Sequence, residues 1–594
     1  MKRTILLALT LVFLLTSVSM AGCTPATDYT DLSVRDFVGK NGIVTAANPY
    51  AAKVGLDILQ QGGNAFDAAV AVSFAMGVVE PDATGIGGGG LMIAYNVNSK
   101  QSMFYNFREF APANATIDKY QSDYSAQSGK AIAVPTQVAG LLTILEEQGT
   151  MSRQEIIAPS VSLARDGVVV TPELAKVILD NFTVLQKSRE ETMPVFCIDG
   201  IEPLAEGDTL VQTDLADVLQ NIADYGKEYF YTGEFAQKVV DAIQQAGGYV
   251  TMDDMKYALD NYPVKSTALT GSYNGYDILT VGSPSTGGTM LIEMLNMLES
   301  YAQTNGKISD LQHNSAEYIN LIATVMQLAY GDKEKYMADA TQVDVPLQGL
   351  TDKQYAADRM EKYTAGQAYL GTASGDTAYG DPWKYQTEQG SVYSDGESGD
   401  HYSTTSFSII DKEGNIVTFT QTINSFFGTG YVPEGTGFFL NNEINDFSTQ
   451  PDSINAVAPY KQPASYMMPT VVLKDNKPYA TLGSPGGSRI PSAVLQVLLN
   501  LIEFDMDIQS AISAPRVYCF TTDDSDVSAT AKDIYIENAL KEIENSLVAM
   551  NYNVLLYGDK QYDSYFGGVQ GIKVTDNGYH GGADPRRDGK ALGY

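Results

Sequence analysis

The sequence predicts an α+β protein whose helices are concentrated in its first half and whose strands are concentrated in its second. Helical periodicity recurs in five segments of the first half, namely 139–147, 153–164, 172–184, 213–225 and 233–246. Apolar and polar residues alternate in period two at 405–410 and 416–423. The stretch from about Tyr363 to Asp400 is rich in Gly, Ser, Thr, Tyr and Asp, which is typical of a linker or surface loop.

The composition indicates an ordered globular protein. The chain has 594 residues, of which 44% are hydrophobic and 18% are charged, and this length predicts two domains or one large layered unit. The 71 acidic and 38 basic residues give a net charge of -33, which repels phosphate backbones and excludes nucleic acid as an expected partner. Neither the three cysteines nor His313, His401 and His580 have ligand spacing, so we expect no disulfide framework, metal or other cofactor.

The N-terminus has the pattern of an export signal. Lys2 and Arg3 precede an apolar stretch from Ile5 to Met20, which is too short for a comfortable membrane span. The sequence Met20-Ala21-Gly22-Cys23 resembles a bacterial lipoprotein box. We therefore expect a signal peptide at 1–22, lipidation of Cys23, a linker at 23–36 and anchoring to the outer face of the bacterial cell membrane. A periplasmic or secreted protein with an incidental cysteine is the alternative.

The elements that follow begin with two helices. Helical spacing starts at Pro49 and ends at Gln61, before Gly62-Gly63. Asn64 can cap a second helix, in which 68–79 is small and apolar on nearly all sides and should be buried. The glycine run 85–90 then leads into a short strand at 91–95. No Gly-Lys-Ser/Thr follows the run, so close backbone approach is favoured over a nucleotide site. Alternation returns at 267–280.

A hairpin is predicted at the start of the strand-rich half. If Lys412, Glu413 and Gly414 form a three-residue loop, Thr404 pairs with Thr422, with Cβ atoms about 5 Å apart. Asn424 should then project from the same face as Thr422, because side chains alternate along a strand.

Several sequence blocks share an order and spacing that identify a family. They are Gly62-Gly63-Asn64-Ala65-Phe66-Asp67-Ala68-Ala69, Phe107-Arg108-Glu109-Phe110-Ala111-Pro112, Pro135-Thr136-Gln137-Val138-Ala139-Gly140, Leu163-Ala164-Arg165-Asp166-Gly167, Pro284-Ser285-Thr286-Gly287-Gly288, Thr404-Thr405-Ser406-Phe407-Ser408, Asn441-Asn442-Glu443, Gly483-Ser484-Pro485-Gly486-Gly487-Ser488-Arg489 and Ala583-Asp584-Pro585-Arg586. Over nearly the whole mature chain they resemble the γ-glutamyltranspeptidase family. The resemblance implies an N-terminal-nucleophile hydrolase fold, an αββα sandwich of two stacked antiparallel sheets between helical layers. A large chain, 37–403, and a small catalytic chain, 404–594, would form it jointly after self-processing.

The resemblance also implies the catalytic residues. Cleavage between Ser403 and Thr404 would free the α-amine of Thr404, whose reference pKa of about 7.7–8.0 suits it to act as base for its own hydroxyl. Thr422 would hydrogen-bond that hydroxyl. The backbone N–H groups of Gly486 and Gly487 would form the oxyanion hole.

Substrate-binding residues follow from the same resemblance. Arg108 would bind the α-carboxylate of the glutamyl group, because a guanidinium matches a carboxylate bidentately. Asn424, Glu443 and Asp446 would bind its α-ammonium, and we expect the two carboxylates to follow an apolar strand at 437–440. The family usually has two adjacent serines near the substrate, whereas this chain has Ser465 and Tyr466.

The expected function is transfer of γ-glutamyl groups from glutathione or related donors to water or to an amino acid or peptide acceptor. The segment 447–461 is short compared with members that carry a lid, so we expect an open cleft. A poly-γ-glutamate transpeptidase or hydrolase, or a cephalosporin-type acylase, is the alternative within the superfamily. A non-catalytic solute-binding lipoprotein is the alternative from another class, and it would need no cleavage before Thr404.

Overall fold

The structure is a computed structural model that describes residues 29–122, 124–369, 379–387, 390–391, 403–520, 532–558 and 561–594. The expected signal peptide, Cys23 and much of the expected linker at 363–400 lie outside these residues. None of the helices in the described ranges is long and apolar enough to cross a membrane.

The strands of the described residues fall into two groups along the chain, one before residue 300 and one after residue 400. Those before residue 300 are β1 Phe37–Gly39, β2 Ile43–Ala46, β3 Gly89–Asn96, β4 Gln101–Phe107, β5 Val168–Val169, β6 Cys197–Ile198, β7 Glu202–Pro203, β8 Thr209–Leu210, β9 Val264–Ser266, β10 Leu269–Tyr273 and β11 Tyr276–Thr280. Those after residue 400 are β12 Thr405–Ile410, β13 Ile416–Thr422, β14 Thr470–Lys474, β15 Lys477–Gly483, β16 Val517–Cys519, β17 Asp533–Glu537, β18 Asn553–Tyr557, β19 Gln570–Thr575, β20 Gly578–Ala583 and β21 Lys590–Gly593.

The helices lie mainly between residues 49 and 360. In that region they are α1 Pro49–Gln60, α2 Ala65–Val79, α3 Gln137–Gln148, α4 Arg153–Asp166, α5 Pro172–Asp180, α6 Phe182–Leu185, α7 Arg189–Phe196, α8 Thr213–Tyr225, α9 Lys227–Tyr231, α10 Gly233–Gln245, α11 Met252–Asn261, α12 Gly287–Asn305, α13 Ala316–Tyr336, α14 Leu347–Leu350 and α15 Lys353–Met360. Three more follow the hairpin, α16 Ile490–Ile502, α17 Ile508–Ser513 and α18 Glu544–Ala549.

Two seven-stranded antiparallel sheets form the centre of the molecule. The first has the strand order β1-β20-β19-β15-β14-β11-β10, and the second has the order β21-β2-β12-β13-β3-β4-β9. Each sheet contains strands from both sides of the expected cleavage point, so neither piece could build a complete sheet alone. Helices α1, α2 and α3 pack on the second sheet, whereas α12 and α17 pack on the first. The αββα sandwich implied by the resemblance is therefore confirmed.

Alternation along the central strands divides the apolar core into two parts. Val44 and Met92 belong to the cluster between the second sheet and its helices, while their neighbours Ile43 and Leu91 face the other cluster. Successive side chains of a strand point to opposite faces, so one strand can serve both layers. The strands of the second sheet are accordingly buried on both faces, as the burial of every residue in β12 and β13 illustrates.

Most local predictions are confirmed, with three differences. Helix α2 begins with the expected cap, in which Asn64 and Asp67 form a reciprocal capping box. The predicted helix at 172–184 is instead two helices, interrupted at Asn181. The predicted strand at 437–440 is wrong, because this buried segment exchanges only isolated backbone hydrogen bonds with 429–431. Several helices were not predicted individually, and the longest of these are α12, α13 and α16.

Candidate active site

The β12–β13 hairpin brings Thr404 and Thr422 together in the predicted register. Thr405 pairs with Gln421, so the preceding Thr404 lies opposite Thr422, and the two hydroxyl oxygens are 3.3 Å apart. The Thr422 hydroxyl also accepts a hydrogen bond from the backbone N–H of Asn424 at 2.8 Å. This bond fixes the orientation of Thr422 beneath Thr404.

The carbonyl of the peptide bond between Ser403 and Thr404 lies beside these two hydroxyls. Its oxygen accepts hydrogen bonds from the Thr404 hydroxyl at 2.5 Å and from the Thr422 hydroxyl at 2.9 Å. The Ser403 hydroxyl donates to the backbone carbonyl of Asp82 at 2.8 Å. The Thr404 hydroxyl is thus held against the carbonyl of the preceding peptide bond, at a buried position.

The glycine turn after β15 approaches the hairpin closely. A Cβ on Gly483 would lie 2.1 Å from the Ser406 hydroxyl, so a larger residue here would have to displace that buried side chain. Gly486 and Gly487 have φ angles of 134° and 55°, a region that L side chains rarely adopt. The Tyr330 hydroxyl donates to the carbonyl of Ser488 and ties the turn to helix α13. The strain-free turn therefore depends on both glycines.

Arg108 lies at the end of β4 and is the centre of a buried charged cluster. Its Nη2 is 2.5 Å from Asp446 and 2.8 Å from Glu443, and its Nη1 is 4.0 Å from Glu109. The side chains of Arg108, Glu109 and Glu443 are at most 1% exposed, whereas that of Asp446 is 19% exposed. Asn424 donates to the other oxygen of Asp446 at 2.8 Å. One guanidinium therefore faces three carboxyl groups.

Burial dominates the titration of these groups. It raises the pKa of Glu109 to about 8 and raises the pKa of Glu443 well above its ordinary value, although the Arg108 charge opposes both shifts. Burial by itself lowers the pKa of Arg108, but Glu443 and Asp446 outweigh it and the net shift is upward. Near neutral pH Glu109 therefore retains its proton beside a permanently charged arginine.

Arg108 and Thr422 line a common cavity, which we call the Arg108 cavity. Its wall consists of Arg108, Lys333, Thr422, Asn424, Glu443, Asp446, Ala464, Ser465, Tyr466, Met467, Gly487, Ser488 and Ile490. The structure thus brings together Arg108, Thr422, Asn424, Glu443, Asp446, Ser465, Tyr466 and Gly487 from the set selected in the sequence. No residue of the short segment 447–461 is among these wall residues.

Thr404 itself lines a second cavity. We call it the Asp82 cavity, and its charged wall residues are Glu80, Asp82, Glu173, Arg587 and Asp588. Burial raises the pKa of Glu80 to about 8 and that of Asp82 to about 7. Thr404 and Thr422, whose hydroxyls are neighbours, therefore line different cavities, and that of Thr404 is rich in carboxyl groups.

Two groups of the site were missed in the sequence. Lys333, in the last turn of α13, lines the Arg108 cavity and places its ammonium 4.8 Å from the centre of the Tyr466 ring. The only signal for Lys333 in the sequence is its position at the end of a long apolar run. The acids of the Asp82 cavity were also missed, because they come from distant segments. Among the described residues, no group of three or more His, Cys, Asp or Glu side chains is arranged to hold a metal ion.

Comparisons with known proteins agree with this geometry. Residues 51–594 match the family model described as Gamma-glutamyltranspeptidase. The chain is 37% identical over 569 residues to the glutathione hydrolase proenzyme of Bacillus subtilis (strain 168), covering 94% of this chain and 92% of that protein. It is 36% identical over 496 residues to the glutathione hydrolase proenzyme of Escherichia coli (strain K12), covering 81% of each.

A solved structure resembles the fold over a similar extent. The crystal structure of cephalosporin acylase from Bacillus halodurans superimposes with a TM-score of 0.81 and 25% identity, covering 94% of this chain and 97% of that one. The family model extends across the hairpin, the glycine turn and the Arg108 cluster. By its sequence, its layered fold and the arrangement of these residues, the chain belongs to the gamma-glutamyltranspeptidase family.

Proposed function

We propose that this protein is a self-processing γ-glutamyltransferase and glutathione hydrolase that uses Thr404 as an N-terminal nucleophile. The observation that carries the proposal is the pair of hydroxyls of Thr404 and Thr422, 3.3 Å apart. Thr422 lines the Arg108 cavity, whose wall also contains one buried guanidinium and the carboxyl groups of Glu443 and Asp446. Such a cavity is complementary to a free α-amino acid head group, which bears one carboxylate and one ammonium.

Self-processing is proposed to start from the contact between the Thr404 hydroxyl and the Ser403 carbonyl. The hydroxyl oxygen attacks the carbonyl carbon, the C–N bond breaks, and the hydroxyl proton passes to the departing amide nitrogen. Thr422, which donates to the carbonyl oxygen at 2.9 Å, stabilises the negative charge that develops there. Water then hydrolyses the ester, leaving a carboxylate on Ser403 and a free α-amine on Thr404. The products are chains 37–403 and 404–594, which share both sheets and stay associated.

The mature cycle would reuse the same oxygen. The Thr404 hydroxyl attacks the γ-carbonyl of the donor while its own α-amine accepts the proton and passes it to the leaving amine. The N–H groups of Gly486 and Gly487 stabilise the oxyanion. Water or the amine of an acceptor then attacks the γ-glutamyl ester, which gives hydrolysis or transfer respectively.

Recognition of the glutamyl head group is proposed to exchange one set of ion pairs for another. Without substrate, Glu443 and Asp446 contact the Arg108 guanidinium. A bound donor brings its carboxylate to Arg108 and its ammonium to Glu443, Asp446 and Asn424, so each buried charge remains paired. Ser465 and Tyr466 form the adjoining wall.

One incubation tests the proposal. Purified protein with glutathione should release glutamate when no acceptor is present and should form a γ-glutamyl dipeptide when a dipeptide acceptor is added. A single uncleaved band on a denaturing gel together with no product would instead favour the solute-binding lipoprotein.

The likeness to a cephalosporin acylase favours one second candidate, an acylase for glutaryl-type side chains. Glutaryl lacks the α-ammonium, so it would leave Glu443 and Asp446 without their partner, which is why we favour the γ-glutamyl donor. Comparing γ-glutamyl and glutaryl 4-nitroanilides separates the two activities.

We also propose export and anchoring through Cys23, on the pattern of residues 2–23. Fatty-acid labelling of wild-type protein and of Cys23→Ala in a bacterial host tests this: label should appear in the wild type alone. Equal label in both proteins would exclude Cys23 as the anchor.

A further inference from the structure

The guanidinium of Arg108 already has several partners in the substrate-free structure. Its Nε donates to the carbonyl of Pro463 at 3.0 Å, and its Nη2 contacts Asp446, Glu443 and the carbonyl of Ala464. Three of the groups around it are carboxyls, counting Glu109. A donor carboxylate that approaches Arg108 therefore competes with these existing partners, which lowers the attraction that this single cation can provide.

Lys333 brings a second cation to the same cavity. Its side chain is 3% exposed and its ammonium pairs with Glu334 at 2.7 Å. The ammonium also lies 4.8 Å from the centre of the Tyr466 ring, a cation–π distance. Lys333 and Tyr466 are both wall residues of the Arg108 cavity. The wall of the Arg108 cavity thus contains two cationic side chains, those of Arg108 and Lys333. Of these two, only Arg108 is surrounded by three carboxyl groups.

The end of helix α13 holds Lys333 in a defined position. Tyr330, one turn earlier, is tied to the Ser488 carbonyl of the glycine turn. The neighbouring Asp332 is buried and accepts from Arg359 at 2.9 Å and from Tyr355 at 2.8 Å. These contacts fix the helix end relative to the glycine turn, so Lys333 is presented to the cavity by a rigid element rather than by a mobile loop.

We infer that Lys333 binds the α-carboxylate of the γ-glutamyl donor together with Arg108, and that the ring of Tyr466 positions its ammonium. The inference rests on the proposed γ-glutamyl activity and adds a specificity residue to it. The Lys333 ammonium pairs with Glu334, and a donor carboxylate would add a second anionic partner on the cavity side of this buried cation. The Tyr466 ring supplies a face for a cation, which explains why a tyrosine can occupy a position where the family usually has a serine.

The test compares Lys333→Met, Lys333→Arg and wild type with two anilides. γ-Glutamyl 4-nitroanilide has the α-carboxylate, whereas 4-aminobutyryl 4-nitroanilide keeps the ammonium and lacks the carboxylate. For the first substrate, Lys333→Met should raise KM on the order of tenfold or more while kcat stays within about threefold, and Lys333→Arg should recover most of the loss. For the second, wild type and Lys333→Met should have the same kcat/KM.

Two controls separate this inference from the proposed function and from misfolding. Complete cleavage before Thr404 in both variants would show that they fold and mature. Wild-type protein that is inactive on every γ-glutamyl donor would defeat the proposed function itself. An equal loss on both anilides would show a merely structural role for Lys333. A loss with glutathione but none with γ-glutamyl anilide would place the contact on the carboxylate of the leaving group, and either result would overturn the inference.

Discussion

The hydroxyl of Thr404 lies 3.3 Å from that of Thr422, and both lie within hydrogen-bond distance of the Ser403 carbonyl. The Thr404 hydroxyl thus contacts the carbonyl of the peptide bond that precedes it. The Thr422 hydroxyl contacts both that carbonyl and the Thr404 hydroxyl. This arrangement is what a chain needs to cleave itself and then to reuse the same oxygen in catalysis.

Replacing Thr422 should slow both self-processing and the γ-glutamyl reaction of the mature enzyme. Thr422→Val keeps the shape but removes the hydroxyl that contacts the Ser403 carbonyl, so self-processing should slow on the order of 100-fold. The buried N–H of Asn424 would also lose its acceptor, at a cost of about 1–3 kcal/mol. Thr422→Ser keeps the hydroxyl and serves as the control. Gel densitometry of processing over time measures the effect, and wild-type rates in Thr422→Val would remove Thr422 from the mechanism.

Replacing Arg108 by lysine should weaken donor use. The charge is kept, but the fork that contacts Asp446, Glu443 and two carbonyls is lost, so kcat/KM for a γ-glutamyl anilide should fall on the order of tenfold or more. Arg165→Lys is the matched control, because Arg165 is 47% exposed and pairs with an exposed aspartate. An unaltered kcat/KM in Arg108→Lys would show that the glutamyl head group does not bind at Arg108.

Asp82 predicts a dependence of stability on pH. Burial raises the pKa of Asp82 to about 7 from an ordinary value of 3.8, while the Arg587 charge opposes the shift and Glu173 and Asp588 add to it. Between about pH 4 and pH 7 the folded state then binds a proton that the unfolded state has lost, so stability falls as pH rises through this window. In the uncleaved Thr404→Ala background, Asp82→Asn should remove this contribution and raise Tm at pH 7.

The measurement is Tm from pH 4 to pH 8 for both proteins. Asp505→Asn is the control, because the Asp505 side chain is 99% exposed. Curves that stay parallel between Thr404→Ala and Thr404→Ala/Asp82→Asn across this range would show that Asp82 titrates normally.

The short segment 447–461 predicts tolerance of long donors. It contributes no residue to the wall of the Arg108 cavity, so kcat/KM should change less than about tenfold from glutathione to γ-glutamyl oligomers of increasing length. Tyr466→Ser, measured in parallel, tests whether the ring limits glutathione use, which should then improve in the variant. A steep loss of activity with oligomer length in the wild type would contradict the open cleft.

The parts of the site that the sequence predicted directly are local. The loop 412–414 fixes the hairpin register by its length, so the pairing of Thr404 with Thr422 followed from spacing alone. The contact between Arg108 and Asp446, which are 338 positions apart, could be expected only from the family resemblance. No periodicity links residues so distant.

The missed elements were hidden by burial. In α13, every residue from Tyr318 to Lys333 is buried, so the sequence lacks the contrast between apolar and polar faces that marks an amphipathic helix. Lys333 was also missed, because the cavity that it lines exists only once α13 packs beside the glycine turn. The apolar run at 437–440 was assigned to a strand because burial alone does not distinguish a paired strand from a buried irregular segment.

The central claim, that Thr404 becomes an N-terminal nucleophile, is tested most directly by mass spectrometry of the smaller fragment. Purified wild-type protein should yield a fragment that begins Thr404-Thr405-Ser406, and rapid quenching during turnover of glutathione should add one γ-glutamyl group to Thr404. Thr404→Ala should remain a single chain and acquire no adduct. Cleavage of Thr404→Ala into the same two chains, or a γ-glutamyl adduct on another residue, would contradict the claim.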